Sequence, residues 1–328
     1  MNQVGGMVDR RQNNRFRKDY LDPAFIVTTI LPRTPPLPQR EGVGPSYAWL
    51  PAGKWPSLLA YLAERFAHLE PGILEGRLAR GELVNDEGRP FAVDSPYRAG
   101  IRIWYYRDVP PEIPVPFEER VLYRDERILV ADKPHFLSIS PAGKYLKETL
   151  LTRLRHKLNL PDLTPVHRLD RETAGVVMFC HHVPSRGAYQ RLFQTRQISK
   201  VYEAIAPYRE DLALPHVHRS LLEEGEGFFT MHEVPGEPNS ETRIDLIERR
   251  GDWAHYCLEP HTGRKHQLRV HMAALGIPIK DDPWYPEVLP DKGEDFSRPL
   301  RLLARSISFI DPLSGEPRTF TSEQTLRW

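Results

Sequence analysis

The pattern of apolar and polar residues changes abruptly at residue 176, where a charged stretch runs into Val176-Val177-Met178-Phe179. The β-branched pair and Phe179 suit a covered, pleated surface, so this run predicts a short core strand. The nine residues before it, HRLDRETAG (167–175), are mostly polar. Because the strand is anchored in the core, the preceding loop is held against a rigid scaffold, where catalytic side chains tend to lie.

The remaining pattern after residue 117 predicts interleaved strands and helices. Apolar residues at helical spacing predict helices over 145–158 and 185–195, and a glycine turn leads into a third helix that ends at Gly276. Alternating stretches predict strands, over 121–134 as a strand–turn–strand unit and then over 200–206, 242–248, 253–258, 302–310 and 318–321. Residues 207–240 are polar and predict an irregular excursion with one hairpin.

The first 108 residues divide into two parts of different composition. Residues 1–55 contain a basic cluster and the stretch LPRTPPLP (31–38), which predict a basic, proline-rich extended arm. Residues 56–108 predict a small module of two helices and a hairpin: Ser57 caps the first helix, the second covers 73–78, and 83–84 and 101–105 are strands. The proline-rich segment DVPPEIPVP (108–116) then begins a third part, which we place at 109–328.

Composition and charge narrow the class of protein. The 328 residues carry a formal charge of only +1, but between Pro141 and Lys200 there are 11 Lys or Arg against 4 Asp or Glu. This basic zone fits a polyanionic ligand, although a solvated face gives the same count. Two cysteines exclude a disulfide framework, and no apolar run approaches the roughly 18 residues of a membrane span. We expect a monomeric, reduced, cytoplasmic protein.

The candidate chemistry centres on Asp170. Arg168, Arg171 and His167 are its close neighbours in sequence, and cationic neighbours favour the ionised carboxylate, which acts as a nucleophile or base. A surface turn held by ion pairs is the alternative from this stretch alone. Two further polar clusters accompany it, at Lys200-Val201-Tyr202 and from Arg264 to Arg269.

Several other kinds of site are disfavoured by spacing. His261, His266 and His271 are five residues apart, so they cannot share one helix face, and we expect no metal site. Glycoside hydrolysis needs a second carboxylate near the first, and Glu172 lies on a loop where it can face solvent. The chain also has no glycine-rich phosphate loop, and no nucleophile–histidine pair is indicated by spacing.

The motifs together resemble those of the RluA-type pseudouridine synthases. HRLDRETAG is similar to the catalytic motif of that family, and VLYRDERILVADKP, KVYEA, TGRKHQLRVHMAALGIPIKDDPWY and LLARSISFIDPLSGE match its other segments in the same order. The resemblance covers roughly residues 118–325. GELVND and AGIRI in the small module resemble the S4 RNA-binding module, which often precedes this domain. The resemblance implies an α+β fold, with a mixed, mostly antiparallel central sheet flanked by helices and preceded by the S4-like module.

The resemblance also implies roles for single residues. Asp170 corresponds to the essential aspartate, Tyr202 to the tyrosine that stacks on the target base and is implicated in removing the C5 proton, and Arg269 to the arginine that pairs with the carboxylate. Arg168 corresponds to the arginine that enters the helix stack as the base leaves. Further RNA-binding candidates are the basic residues of the same segments and of the S4-like module: His167, Arg171, Lys200, Arg264, His266, Lys133, Arg77 and Arg80.

The implied reaction breaks the N1–C1′ bond of a uridine in ribosomal or transfer RNA, turns the uracil and rejoins it through C5, without metal or other cofactor. Asp170 either attacks C1′ or takes a C2′ proton, and both routes stay open. Two other classes remain as alternatives: a catalytically idle RNA-binding or ribosome-assembly factor, and a carboxylate-dependent hydrolase.

The chain departs from the family pattern at five positions near these motifs. Ala174 stands where the family usually has serine, and Leu303 stands in place of a histidine. His135 replaces an alanine, while Phe136 and Asp281 stand where the family has glycine. None of the five falls on the four positions carried over as functional. The departures therefore concern substrate choice and loop shape.

Overall fold

A computed structural model describes residues 35–67, 69–70, 72–108, 111–143, 145–225, 230–290 and 295–328. The chain forms two compact units, one with residues 47–105 and the described part of 1–37, the other with 38–46 and 106–328. The basic cluster of the expected arm lies outside the described residues. Within that expected arm, Ser46–Trp49 forms a strand, β1, which the sequence analysis missed.

The smaller unit consists of β1, helices α1 (Leu58–Arg65) and α2 (Ile73–Ala79), and strand β2 (Arg102–Tyr105). The predicted cap is present, since Ser57 Oγ accepts a hydrogen bond from the amide of Ala60 at 3.1 Å. β1 and β2 pair as a two-stranded sheet. The predicted strand at 83–84 is reduced to single bridges at Val84. The Asn85 side chain accepts hydrogen bonds from the backbone amides of Glu87 and Arg89, and the resulting turn ends the extended segment.

The larger unit is built on one mixed sheet that contains eleven of the described strands. Its strands are β3 (Arg120–Arg124), β4 (Ile128–Lys133), β5 (Thr164–Pro165), β6 (Ala174–Cys180), β7 (Ile198–Pro207), β8 (His216–Glu224), β9 (Met231–Val234), β10 (Ser240–Arg250), β11 (Trp253–Pro260), β12 (Leu302–Ile310) and β13 (Pro317–Thr321). Their order is β3-β4-β6-β12-β7-β11-β10-β8-β9, with β13 on β12 and β5 on β6. Among the described strands of this sheet, only β6 and β12 pair in parallel, so the expected mixed, mostly antiparallel sheet is confirmed.

Three helices cover this sheet: α3 (Leu150–Leu158), α4 (Arg186–Gln194) and α5 (Gln267–Ala274). Strand β6 is buried along its whole length, and successive side chains point to opposite faces. Val177 and Phe179 share a core with leucines of α3, whereas Val176 and Met178 share another with Tyr189 and Leu192 of α4. The run that the sequence identified as a core strand therefore lies between two helical layers.

Two elements differ from the sequence prediction. Helix α3 begins at Leu150 instead of 145, because Thr149 adopts an extended backbone and its hydroxyl caps the helix at the amide of Thr152. The region 207–240 contains the hairpin β8–β9, and β8 is a nine-residue strand that also pairs with β10. Its polar, histidine-containing sequence HVHRSLLEE hides the alternation on which the prediction depends.

Gly175 ends the loop 167–175, which is called the active loop below, and lies where this loop joins the sheet. Its φ is +114°, and a Cβ there would lie 2.2 Å from the carbonyl oxygen of Ala304 on β12. We expect Gly175→Ala to lower the free energy of unfolding by about 2–4 kcal/mol, through left-handed strain and overlap with backbone. Gly187→Ala is the control, because that position on α4 has no atom within 4 Å of the added methyl. Urea unfolding measures both, and equal stability of the two variants would contradict the prediction.

Candidate active site

The loop that carries Asp170 is tied to the sheet by His167. The His167 Nε2 atom accepts a hydrogen bond from the amide of Met178 on β6 at 2.9 Å, and its ring stacks on Phe193 with centroids 4.4 Å apart. Burial, followed by the charge of Lys200, lowers the pKa of His167 to about 3. The imidazole is therefore neutral, and it fixes the loop instead of offering a cation to RNA.

Lys133 supports the same loop from the protein interior. Its side chain is fully buried at the end of β4, and Nζ donates to the carbonyls of Pro134, Leu137 and Arg171 at 2.9, 2.8 and 3.1 Å. Burial lowers the pKa of Lys133 to about 7, against the opposing charges of Glu172 and Asp170. This location corrects the expectation that Lys133 contacts RNA, because its ammonium group has no exposed surface.

Arg269 on α5 connects the helix with the carboxylate of Asp170. Its guanidinium is 1% exposed, donates to both carboxylate oxygens of Asp282 at 2.8 and 2.6 Å, and places Nη1 3.4 Å from Asp170 Oδ2. The rings of Trp284 and Tyr285 lie 4.7 and 5.2 Å from its central carbon. A bidentate pair and two ring faces hold the cation in one orientation, so its remaining nitrogen is directed at Asp170.

Tyr202 lies on β7, beside the loop. It is opposite Ala304 of β12 and Leu258 of β11 in the sheet, and it lines the same cleft as Asp170. Burial, and then the charge of Asp170, raises the pKa of Tyr202. Its side chain is therefore an uncharged phenol at neutral pH.

The cleft around Asp170 has a volume of about 590 Å³ and a strongly basic lining. Besides Asp170, Tyr202 and Arg269, its walls include Arg168, Arg196, Lys200, His261, Arg264 and Lys265. Lys200 Nζ donates to the carbonyl of Thr262 at 2.8 Å, and burial lowers its pKa to about 8. The three polar clusters seen in the sequence therefore meet in one cleft.

Arg196 is a residue of this cleft that the sequence analysis did not select. It follows α4 with a φ of +59° and is exposed. Its position in the basic zone 141–200 was the available signal, but the left-handed backbone that turns it to the cleft could not be predicted.

Three other predicted RNA-binding side chains are held by the protein itself. Arg171 pairs with Glu172 at 2.6 Å beside the active loop. In the smaller unit, Arg77 is 9% exposed, and both Arg77 and Arg80 form ion pairs with Glu82 at 3.0 and 2.6 Å. Arg77 therefore contributes to packing within its module.

Among the described residues, His218, Glu233 and His271 form a group with ligand atoms close enough for a metal ion, within 4.8 Å of one another. Both nitrogens of His271 are already used. Ser240 Oγ donates to the Ser220 carbonyl, so it accepts from His271 Nε2 at 2.9 Å, and Thr242 Oγ1 lies 2.9 Å from Nδ1. With no lone pair of His271 unengaged, this group does not fit a metal site.

In the described part of the chain, no helix is both long enough and apolar enough to cross a membrane.

Comparison with known proteins shows which family the chain resembles. Residues 127–274 match the family model described as RNA pseudouridylate synthase. The chain is 31% identical over 212 residues to the dual-specificity RNA pseudouridine synthase RluA of Vibrio cholerae, covering 61% of this chain and 80% of that protein. It is 28% identical over 231 residues to an RNA pseudouridine synthase of Synechocystis, covering 70% and 79%. The solved structure of human RNA pseudouridylate synthase domain containing 1 aligns with a TM-score of 0.53 and 25% identity, over 65% of this chain and 86% of that one.

Lys133→Met tests the supporting role of the buried lysine. The change leaves three carbonyls without their donor, so we expect a loss of about 2–3 kcal/mol in the free energy of unfolding. Affinity for RNA, measured by filter binding, should change less than about twofold, since the residue is fully buried. Lys147→Met, on a side chain that is 62% exposed, is the control for removing a positive charge. A large loss of RNA affinity with unchanged stability would restore the original expectation.

Proposed function

Because this chain belongs to the RluA-type RNA pseudouridine synthases, and so isomerises uridine in RNA, we propose that Asp170, Tyr202 and Arg269 carry out that reaction in the cleft described above. The observation that carries the proposal is the Asp282–Arg269–Asp170 arrangement at the wall of a basic cleft. Only the ionised carboxylate can attack C1′ or take a C2′ proton, and the guanidinium of Arg269 faces this group with Nη1 3.4 Å from Oδ2. We propose ribosomal or transfer RNA as the substrate.

Uracil must leave its helix to reach Asp170, and this step costs a few kcal/mol. Tyr202 offers a ring beside the carboxylate, and stacking on an aromatic ring recovers about 1–3 kcal/mol per base. Because the pKa of Tyr202 is raised, the side chain enters the reaction as a phenol. This state favours a stacking role, and a role as the base that removes the C5 proton requires the bound RNA to change its surroundings.

Arg168, Arg196, Lys200 and Arg264 are proposed to bind the RNA backbone. All four line the cleft, and their positive charges surround the position of Asp170. Arg168 is exposed and two residues from Asp170, which suits the proposed entry into the gap left by the extruded base. The smaller unit is proposed to be an S4-like accessory module.

Replacing Asp170 tests the catalytic proposal in the cell. Total RNA from cells with and without the gene is mapped for pseudouridine by carbodiimide-dependent reverse-transcription stops. We expect a stop that disappears on deletion, returns with the wild-type gene and with Asp162→Asn, an exposed aspartate outside the cleft, but not with Asp170→Asn. In vitro, Asp170→Asn should react at least about 1,000-fold more slowly.

If no stop changes in well-covered ribosomal, transfer and messenger RNA, the proposed substrates are wrong. If Asp170→Asn restores a growth or assembly defect as well as wild type, while no stop depends on Asp170, the role of an RNA-binding or assembly factor replaces the catalytic proposal.

Arg196→Gln tests the backbone-binding surface. Removing one phosphate contact should weaken binding of all RNA sequences alike and reduce the slope of log affinity against log salt concentration by about 1. Arg191→Gln, on an exposed position of α4 outside the cleft lining, is the matched control. Filter binding from 50 to 300 mM salt measures both slopes, and identical slopes for Arg196→Gln and wild type would exclude Arg196 from the RNA surface.

A further inference from the structure

We propose that His266 is a positioning residue for this reaction: its neutral imidazole donates from Nε2 to Oδ2 of Asp170 and leaves Oδ1 to act on the ribose. The proposal rests on the catalytic role of Asp170 given above. His266 precedes α5, is 7% exposed, and places Nε2 3.8 Å from Asp170 Oδ2. A residue expected to bind RNA is therefore directed at the carboxylate instead.

Tyr285 sets which nitrogen of His266 carries the hydrogen. The Tyr285 hydroxyl oxygen accepts from the amide of Met231 at 2.8 Å and lies 2.9 Å from His266 Nδ1. Among the described residues, His266 Nδ1 is the one acceptor at hydrogen-bond distance from this hydroxyl group, so we place the hydroxyl hydrogen in that bond and assign Nδ1 as the acceptor. In a neutral ring the hydrogen then lies on Nε2, the atom that faces Asp170. The chain from Met231 through Tyr285 thus fixes the tautomer that offers a donor to the carboxylate.

The ring is neutral because of its surroundings. Burial lowers the pKa of His266 to about 4; the charges of Asp170 and Asp282 raise it, and those of Arg269 and Lys265 lower it further. A second full positive charge beside Arg269 would be costly in a buried place. A neutral donor adds a hydrogen bond to Asp170 without that cost.

The backbone of His266 supports a positioning function. Its φ is +54° and ψ is 15°, a left-handed conformation that is uncommon for residues other than glycine and is found repeatedly at functional sites. This conformation begins α5 while the ring lies against Trp284 and Tyr285, with centroids 5.0 and 5.7 Å away. The helix that carries Arg269 therefore starts at the residue that provides the second donor.

Both donors approach the same oxygen of Asp170. Arg269 Nη1 lies 3.4 Å and His266 Nε2 lies 3.8 Å from Oδ2. Both distances exceed that of a good hydrogen bond, and such contacts commonly shorten when substrate binds. The hydrogen bond from Arg269 and the contact from His266 are both to Oδ2, so we assign Oδ1 as the oxygen that acts on the ribose.

The test measures pseudouridine formation as tritium released from C5, with excess enzyme, over a range of pH. The substrate is [5-³H]uridine-labelled ribosomal and transfer RNA from cells that lack the gene. The variants are His266→Ala, His266→Gln, Tyr285→Phe and the pair His266→Ala with Tyr285→Phe. His232→Gln, at an exposed position of β9, is the control.

We expect His266→Ala to slow the reaction at pH 7.5 by about 10-fold to 100-fold, because a hydrogen bond to a charged group is lost. The acidic limb of the pH profile should move to higher pH, since the ionised carboxylate loses a donor. The groups that face Asp170 and stay in place are Arg269, Lys133, Tyr202 and Tyr285. His266→Gln, which can still donate, should recover most of the rate.

Tyr285→Phe should slow the reaction in wild type but not further in His266→Ala, because its effect acts through the tautomer. RNA affinity, measured with Asp170→Asn as the background, should stay within about twofold. A change in affinity alone would make His266 an RNA contact. A loss of rate with no movement of the acidic limb, no recovery by Gln, and a lower melting temperature would make its role structural.

Wild-type protein that releases no tritium from any RNA contradicts the proposed function. Wild-type release that needs Asp170 but is unaffected by His266→Ala contradicts only the role of His266.

Discussion

The structure of the site depends on one buried ion pair, between Arg269 and Asp282. Burying a guanidinium that is 1% exposed would cost much free energy without a partner. Asp282 accepts two hydrogen bonds from it, and the backbone amides of Trp284 and Tyr285 donate to Asp282 in turn. Because the cation is already oriented by Asp282, the contact with Asp170 need not organise it. The pair therefore prepares an electrostatic environment before substrate arrives, and this is the condition under which charged groups contribute most to catalysis.

The order of strands in the sheet brings the other residues of the site to this ion pair. Asp170 precedes β6, Tyr202 lies on β7, and β12 lies between these strands, so three stretches distant in sequence reach one cleft. Gly175 permits the close approach of β6 and β12, where the Ala304 carbonyl occupies the space a side chain would need. The apolar cores on both faces of β6 in turn anchor the strand that directly follows the loop.

The sequence predicted those parts of the structure that depend on local pattern. The core strand at 176–179, the Ser57 cap and the helix that ends near Gly276 follow from periodicity and capping, which neighbouring residues determine. The hairpin in 207–240 was expected, but the nine-residue length of β8 and its pairing with β10 were missed, because the residues of β8 are mostly polar and half exposed. The roles of Lys133 and His167 could not be predicted either. Basic side chains in an RNA-binding protein are expected to contact RNA, and the sequence does not show that long-range packing buries these two. The tautomer of His266 could not be predicted for the same reason, because it depends on contacts with Tyr285 and, through it, with Met231, and both residues are far from His266 in sequence.

The departures from the family pattern become intelligible in the structure. Phe136 and Asp281, which stand where glycine is usual, have φ values of +66° and +60°, in the left-handed region that favours glycine. Asp281 is a residue that tolerates this conformation, and Arg301 lies 3.6 Å from its carboxylate.

Ala174 and Leu303, which replace serine and histidine, are direct partners across the parallel β6–β12 pair. Both are buried, so replacing only one would leave a polar side chain facing an apolar one in the core. The two departures therefore lie at one apolar contact between β6 and β12, and neither falls on the four positions proposed to be functional.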